Sequence, residues 1–151
     1  MNVGDCMKRN VIFISVNESI RSAVLLLNYH HIGTLPVVDE MKLVGLIDLR
    51  DVLNLTMPDF VNLVQELSFI RNFGAFERYK PSSAILDLPV SKIMVKPYSV
   101  KITTGLLRAF AFFQEHRIYD IPVVDDGGIL VGIASYVDVG TALMVNWDVS
   151  L

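Results

Sequence analysis

The sequence predicts an α/β (α+β) protein made of two β-α-β-β-α repeats packed with pseudo-two-fold symmetry. Three observations carry that expectation. First, Gly45-Leu46-Ile47-Asp48-Leu49-Arg50-Asp51 returns as Gly132-Ile133-Ala134-Ser135-Tyr136-Val137-Asp138. Second, its surroundings return with it. Leu43-Val44 matches Leu130-Val131, Pro36-Val37-Val38-Asp39 matches Pro122-Val123-Val124-Asp125, and His30 and Ile32 match His116 and Ile118. Ala23 matches Ala109, and Val3 and Met7 match Val90 and Met94. The offset is 87 at both ends and 86 in the middle, so one residue is lost and regained in loops. A match this long marks a duplicated folding unit. Third, each copy alternates β-rich runs with apolar helical stretches, and neither is large enough to cover its own sheet, so the two should share a core.

The elements follow in order. Val11 to Val16 is rich in Ile, Val and Phe and reads as a strand. Asn17 and Ser19 offer caps for a helix over Ile20 to His30, whose nearly all-apolar face (Ile20, Ala23, Val24, Leu25, Leu26, Leu27) should be buried, with Gly33 ending it. Leu35 to Asp39 and Leu43 to Ile47 read as strands around a turn at Glu40-Met41-Lys42, and a short helix starts near Asp48 and ends before Pro58. The second copy gives a strand at Ser99 to Ile102 and a helix at Thr104 to Glu115 with Leu106, Leu107, Phe110 and Phe113 buried. Strands at Ile121 to Asp125 and Leu130 to Ala134 flank a glycine turn at Asp126-Gly127-Gly128, and a last helix covers Tyr136 to Val145. The chain thus divides into a first repeat at 1–57, a helical linker at 58–88 and a second repeat at 89–151. In the linker, Phe60, Leu63, Val64, Leu67, Ile70 and Phe73 form one apolar stripe at helical spacing, which either packs on the flank of the same chain or meets a second subunit. Glu77 to Ala84 reads as a loop.

Composition narrows the function classes. Apolar residues make up 52% and charged residues 19%, which suits a well-packed globular chain. The net charge of −3 gives no electrostatic footprint for nucleic acid. No apolar run is long enough to span a bilayer and no signal segment opens the chain, so the expectation is a cytoplasmic protein without a membrane partner. The single cysteine, Cys6, excludes an internal disulfide and a cysteine-rich metal cage. His30, His31 and His116 fall at helix ends without carboxylate or cysteine partners at ligand spacing, so no metal is expected. No phosphate loop, nucleophile elbow or paired Cys/His motif is present, so no catalytic residues and no enzyme are expected. Trp147 reads as a packing or interface residue.

A buried helix, then an apolar residue with Pro-Val-Val-Asp, then Leu-Val-Gly followed by a polar residue and Asp three apart, twice over, resembles the CBS domain, named from cystathionine β-synthase. The likeness covers nearly the whole chain as a tandem pair, or Bateman module. It implies a stand-alone regulatory module that needs no cofactor and binds an adenosine compound (AMP, ADP, ATP, S-adenosylmethionine or NAD) between its repeats. It also implies a homodimer in a disc of four repeats, acting on an unidentified protein target. The alternative is a ligand-free scaffold that dimerises and works through protein contacts.

The resemblance makes Asp138 the ribose acceptor and Ser135 its polar companion. A carboxylate can accept from both ribose hydroxyls at about 1.5–3 kcal/mol per shielded bond. An adenine slot would be lined by Ile133 and by Ile12 and Phe13 of the first-strand region. Ser135 and Asp138 also spell a helix cap, as do Asp48 and Asp51, and the two roles are compatible. Asp48 stands where repeat two has Ser135, so the Asp51 site is expected to be weak, empty or suited to an uncharged nucleoside. Members that hold phosphates tightly, such as the gamma subunit of AMP-activated kinase, carry His or Arg just before the Pro-Val-Val-Asp strand. Here those places hold Gly33 and Thr34, and Tyr119 and Asp120, with Tyr119 counted among the candidate site residues. Phosphate contacts would then fall to Lys8, Arg9, Lys96, His116 or Arg117, which favours AMP over ATP.

Overall fold

The computed structural model describes residues 1–56 and 80–149; the linker stripe from Phe60 to Phe73 lies outside them. The first repeat runs β1 (Ile14–Ser15), α1 (Ile20–His30), β2 (Thr34–Asp39), β3 (Lys42–Asp48) and α2 (Leu49–Asn54). A short α3 (Ser83–Leu86) leads into the second repeat, which runs β4 (Val100–Lys101), α4 (Leu106–His116), β5 (Asp120–Val124), β6 (Leu130–Ser135) and α5 (Tyr136–Met144). Each repeat holds a three-stranded sheet, β1-β2-β3 or β4-β5-β6, with one parallel and one antiparallel pairing. Even the irregularity is duplicated: the register slips between Val37 and Val38 and again between Val123 and Val124. The mixed α/β pair of β-α-β-β-α repeats is therefore as expected.

Local signals act as the residue types dictate. The Ser19 hydroxyl accepts from the Ser22 N–H at 3.1 Å and starts α1. Glu40 and Met41 both take positive φ (48° and 67°), the geometry of a two-residue hairpin turn, and Gly128 takes φ 80° in the matching turn. The two hairpins meet: Leu43 N–H donates to the Gly128 carbonyl at 3.1 Å, and Leu130 N–H to the Met41 carbonyl at 2.9 Å. Beside that junction Leu43, Leu46 and Val124 form a small shared core with Tyr98 against it.

Five expectations are corrected. The first strand pairs only over Ile14–Ser15, and its counterpart only over Val100–Lys101, because each edge strand aligns with two residues of its parallel partner. α1 ends at His31, which takes the left-handed conformation (φ 51°) before Gly33 is reached, as Arg117 does in repeat two. Leu25 and Leu107 are 63% and 72% exposed, since the buried row of each helix is set by Ala23 and Leu27, and by Leu106, Ala109 and Phe113. Ser83 and Ala84 lie in a helical turn capped by the Ser82 hydroxyl at 3.3 Å, not in a loop. Trp147 is 62% exposed, so of its two expected roles, packing and interface, only core packing is excluded.

The leading segments cross over. Val3 and Met7 are buried in the core of repeat two with Phe113, Ile121 and Val139. Val90 is buried in the core of repeat one with Leu27, Leu35 and Ile47, with Met94 packed beside it. The backbone follows: Val3 N–H donates to the Thr104 carbonyl and Val90 N–H to the Glu18 carbonyl, both at 2.8 Å. Each repeat is thus completed by a segment that precedes the other, which fixes their mutual placement.

Candidate functional site

The strand-to-helix corners carry the candidate chemistry. At β6 and α5, the Asp138 N–H donates to the Ser135 hydroxyl at 3.0 Å, and the Ser135 N–H to the Asp138 carboxylate at 3.1 Å. At β3 and α2, the Asp48 N–H donates to the Asp51 carboxylate at 2.8 Å, and the Arg50 N–H to the Asp48 carboxylate at 2.9 Å. Both corners are reciprocal caps, as the residue types suggest. The bond to Asp51 engages one of its two carboxylate oxygens, and an ionised carboxylate offers about four acceptor positions.

The two corners differ in what faces them. Lys8 pairs with Ile133 through two backbone bonds of 2.9 Å, and its ammonium lies 3.6 Å from the Asp138 carboxylate. Val95 occupies the same place at Leu46, bonded at 2.9 and 3.1 Å, and brings no charge to Asp51. A cleft of about 510 Å³ opens over Asp51 between the repeats. Repeat one supplies Thr34, Leu46, Asp48, Arg50 and Asp51; Val95 and Tyr98 form a second wall, and His116 to Tyr119 a third. That volume suits a small organic ligand, and the lining mixes apolar walls with a few convergent polar groups. Burial foremost, then Asp48, Asp120 and Asp51, pushes the Tyr98 phenol up to about 12, so it stays a neutral hydrogen-bond donor.

The candidate residues are thus placed as follows. Ser135, Asp138 and Ile133 come together at one corner, and Asp51 and Tyr119 line the cleft at the other. Ile12 packs against the core of repeat one, and Phe13 lines a groove with Ile14, Ser15, Glu18, Ser22, Leu25 and Leu26. The segment that meets Ile133 is Lys8, because the antiparallel bridge forms before the chain turns into β1. Of the expected phosphate contacts, His116 and Arg117 line the Asp51 cleft. Arg50 and Tyr98 were not singled out in the sequence; only the recurrence of the segment around them hinted at their place. Among the described residues no cluster suited to a metal ion is present, and no helix is long and apolar enough to cross a membrane.

Comparison with known proteins settles the family, since the CBS domain matches residues 3–57 and 90–144. The chain belongs to the CBS domain family. Its two matched segments are a tandem CBS pair. The CBS domain-containing protein YhcV of Bacillus subtilis is 26% identical over 150 residues, covering 96% of this chain and 87% of that protein. An inosine-5'-monophosphate dehydrogenase of Thermoplasma acidophilum is 29% identical over 133 residues, 88% of this chain but 22% of the enzyme. The chain thus spans under a quarter of that enzyme, which it matches through its CBS domains. CBSX2 from Arabidopsis thaliana superposes with TM-score 0.71 at 28% identity, covering 95% of this chain and 94% of that one. A structure of CBSX2 in complex with AMP gives TM-score 0.70 at 28% identity, covering 95% and 96%.

Proposed function

We propose that this CBS pair is a regulatory sensor that binds an adenosine compound in the cleft over Asp51, without catalysing a reaction. The observation that carries the reading is the cleft itself, walled by both repeats with a capped carboxylate at its edge. Asp51 accepts the ribose hydroxyls, Leu46, Val95 and Ile118 provide apolar surface for the base, and Arg50, His116 and Arg117 stand near a first phosphate. The AMP complex of CBSX2 supports the ligand class. This order reverses the sequence expectation: Asp138 is paired with Lys8, whereas Asp51 faces open volume with cations around it.

A ligand touching both repeats favours one arrangement of them over another, and regulation requires that difference in affinity. The exposed Leu25, Tyr29, Leu107 and Val137 support pairing into a homodimer that presents the signal to a protein target. The test is a thermal-shift panel of adenosine, AMP, ADP, ATP, S-adenosylmethionine and NAD. A melting temperature that rises with an adenosine compound, and more with AMP than with ATP, is expected, since a ligand of the native state stabilises by mass action. No rise with any of them at millimolar concentration overturns the sensor reading in favour of a ligand-free scaffold.

A further inference from the structure

The two corners are built on one plan but differ at one wall position. Thr34 opens β2 opposite Asp48, and Asp120 opens β5 opposite Ser135. Thr34 is 7% exposed and lines the Asp51 cleft. Asp120 lines an adjoining lobe of about 360 Å³ that also contains Thr34, Asp48, Arg50 and Arg117. A residue that belongs by sequence to the Asp138 corner therefore reaches the wall of the other site.

We propose that Asp120 is a charge filter shared by the two corners, admitting adenosine compounds of low negative charge and disfavouring polyphosphates. The proposal rests on the adenosine reading above and adds which member of that class is taken. Asp48, Asp51 and Asp120 line the cleft and its lobe together with Arg50 and Arg117, and His116 and Tyr98 also line the cleft. Lys8, the cation that acts on Asp120, is itself paired with Asp138. Two guanidinium groups suffice for one phosphate, and each further phosphate charge meets an uncompensated carboxylate. At separations of about 8 Å in a partly screened site, each ligand charge loses about three- to tenfold in affinity to Asp120. Burial foremost raises the Asp120 carboxyl above its ordinary value, with Lys8 opposing and Asp138 and Asp48 adding. Lowering the pH through its titration therefore relieves the repulsion.

The experiment is calorimetric titration of adenosine, AMP and ATP into the full chain and into Asp120→Asn and Asp120→Thr, the latter copying Thr34. The ATP-to-adenosine affinity ratio should rise about tenfold or more in both variants, with AMP intermediate. In the unaltered chain the ratio should rise as pH falls, and in Asp120→Asn that extra pH dependence should vanish. If adenosine binds but the ratio is the same in all three proteins, Asp120 is not the filter, while the sensor reading stands. If no compound binds any of them, both fail.

Discussion

Gly132→Ala probes the crossing of the leading segments. A Cβ there would stand 2.5 Å from Met7 Sδ, 3.1 Å from Met7 Cγ and 3.1 Å from the Lys8 carbonyl oxygen. The sulfur can swing away, but the carbonyl is held by the Ile133 N–H at 2.9 Å and cannot. Overpacking of this kind costs about 1–3 kcal/mol. For a chain of this size that corresponds to a melting temperature roughly 2–12 °C lower. At Gly45 the same Cβ would meet the Met94 side chain alone (Sδ 2.5 Å, Cγ 3.0 Å, Cβ 3.1 Å), so Gly45→Ala should cost less. Urea unfolding of Gly132→Ala, Met7→Ala and the double variant measures the coupling. The double variant should be more stable than the sum of the singles by about 0.5–3 kcal/mol. Gly132→Ala at full stability would refute the docking of residues 3–8 on repeat two, and strict additivity with Met7→Ala would place the cost on the Lys8 carbonyl rather than on Met7.

Three further outcomes follow. Phe113→Ala, at 2% exposure, should cost about 3–5 kcal/mol, while Leu107→Ala, at 72%, should stay within about 0.5 kcal/mol, both read from urea midpoints. Ser135→Ala should lose about 0.5–2 kcal/mol through the cap, and no loss would mean that the hydroxyl is not holding the helix start. Tyr98 keeps its proton to about 12 in the native state against 10.0 unfolded, so the native state binds the extra proton and stability falls as pH rises from 10 towards 12. Tyr98→Phe should flatten that alkaline fall in unfolding free energy, and an unchanged slope would sink the assignment.

The duplicated features were legible because each is written locally. Ser19, Ser135 and Asp138 announce caps, Gly127-Gly128 a turn, and the order of elements along the chain recurs with the repeated Pro-Val-Val-Asp. What could not be read depends on which distant segment completes which repeat. Val3, Met7, Val90 and Met94 recur in sequence, yet nothing local says that each pair packs into the other copy. The same gap put Ile12 and Phe13 at Ile133, where the bridge is made by Lys8. Leu25 and Leu107 misled because helices apolar on most faces give little phase, although the spacing of Leu106, Ala109 and Phe113 marks the buried row. The Asp51 cleft draws on three stretches far apart in the chain, so Arg50 and Tyr98 acquire their role only in the fold.

The most direct test of the central claim is the affinity of AMP for Asp51→Asn, measured by calorimetry beside the unaltered chain and Asp138→Asn. The amide keeps the shape and an acceptor oxygen for the cap but loses the charge-assisted bonds to ribose. Losing bonds of about 1.5–3 kcal/mol should weaken AMP about 10- to 100-fold at Asp51→Asn and much less at Asp138→Asn. Unchanged affinity at Asp51→Asn, with binding lost at Asp138→Asn, would contradict the account and return the ligand to the Ser135–Asp138 corner.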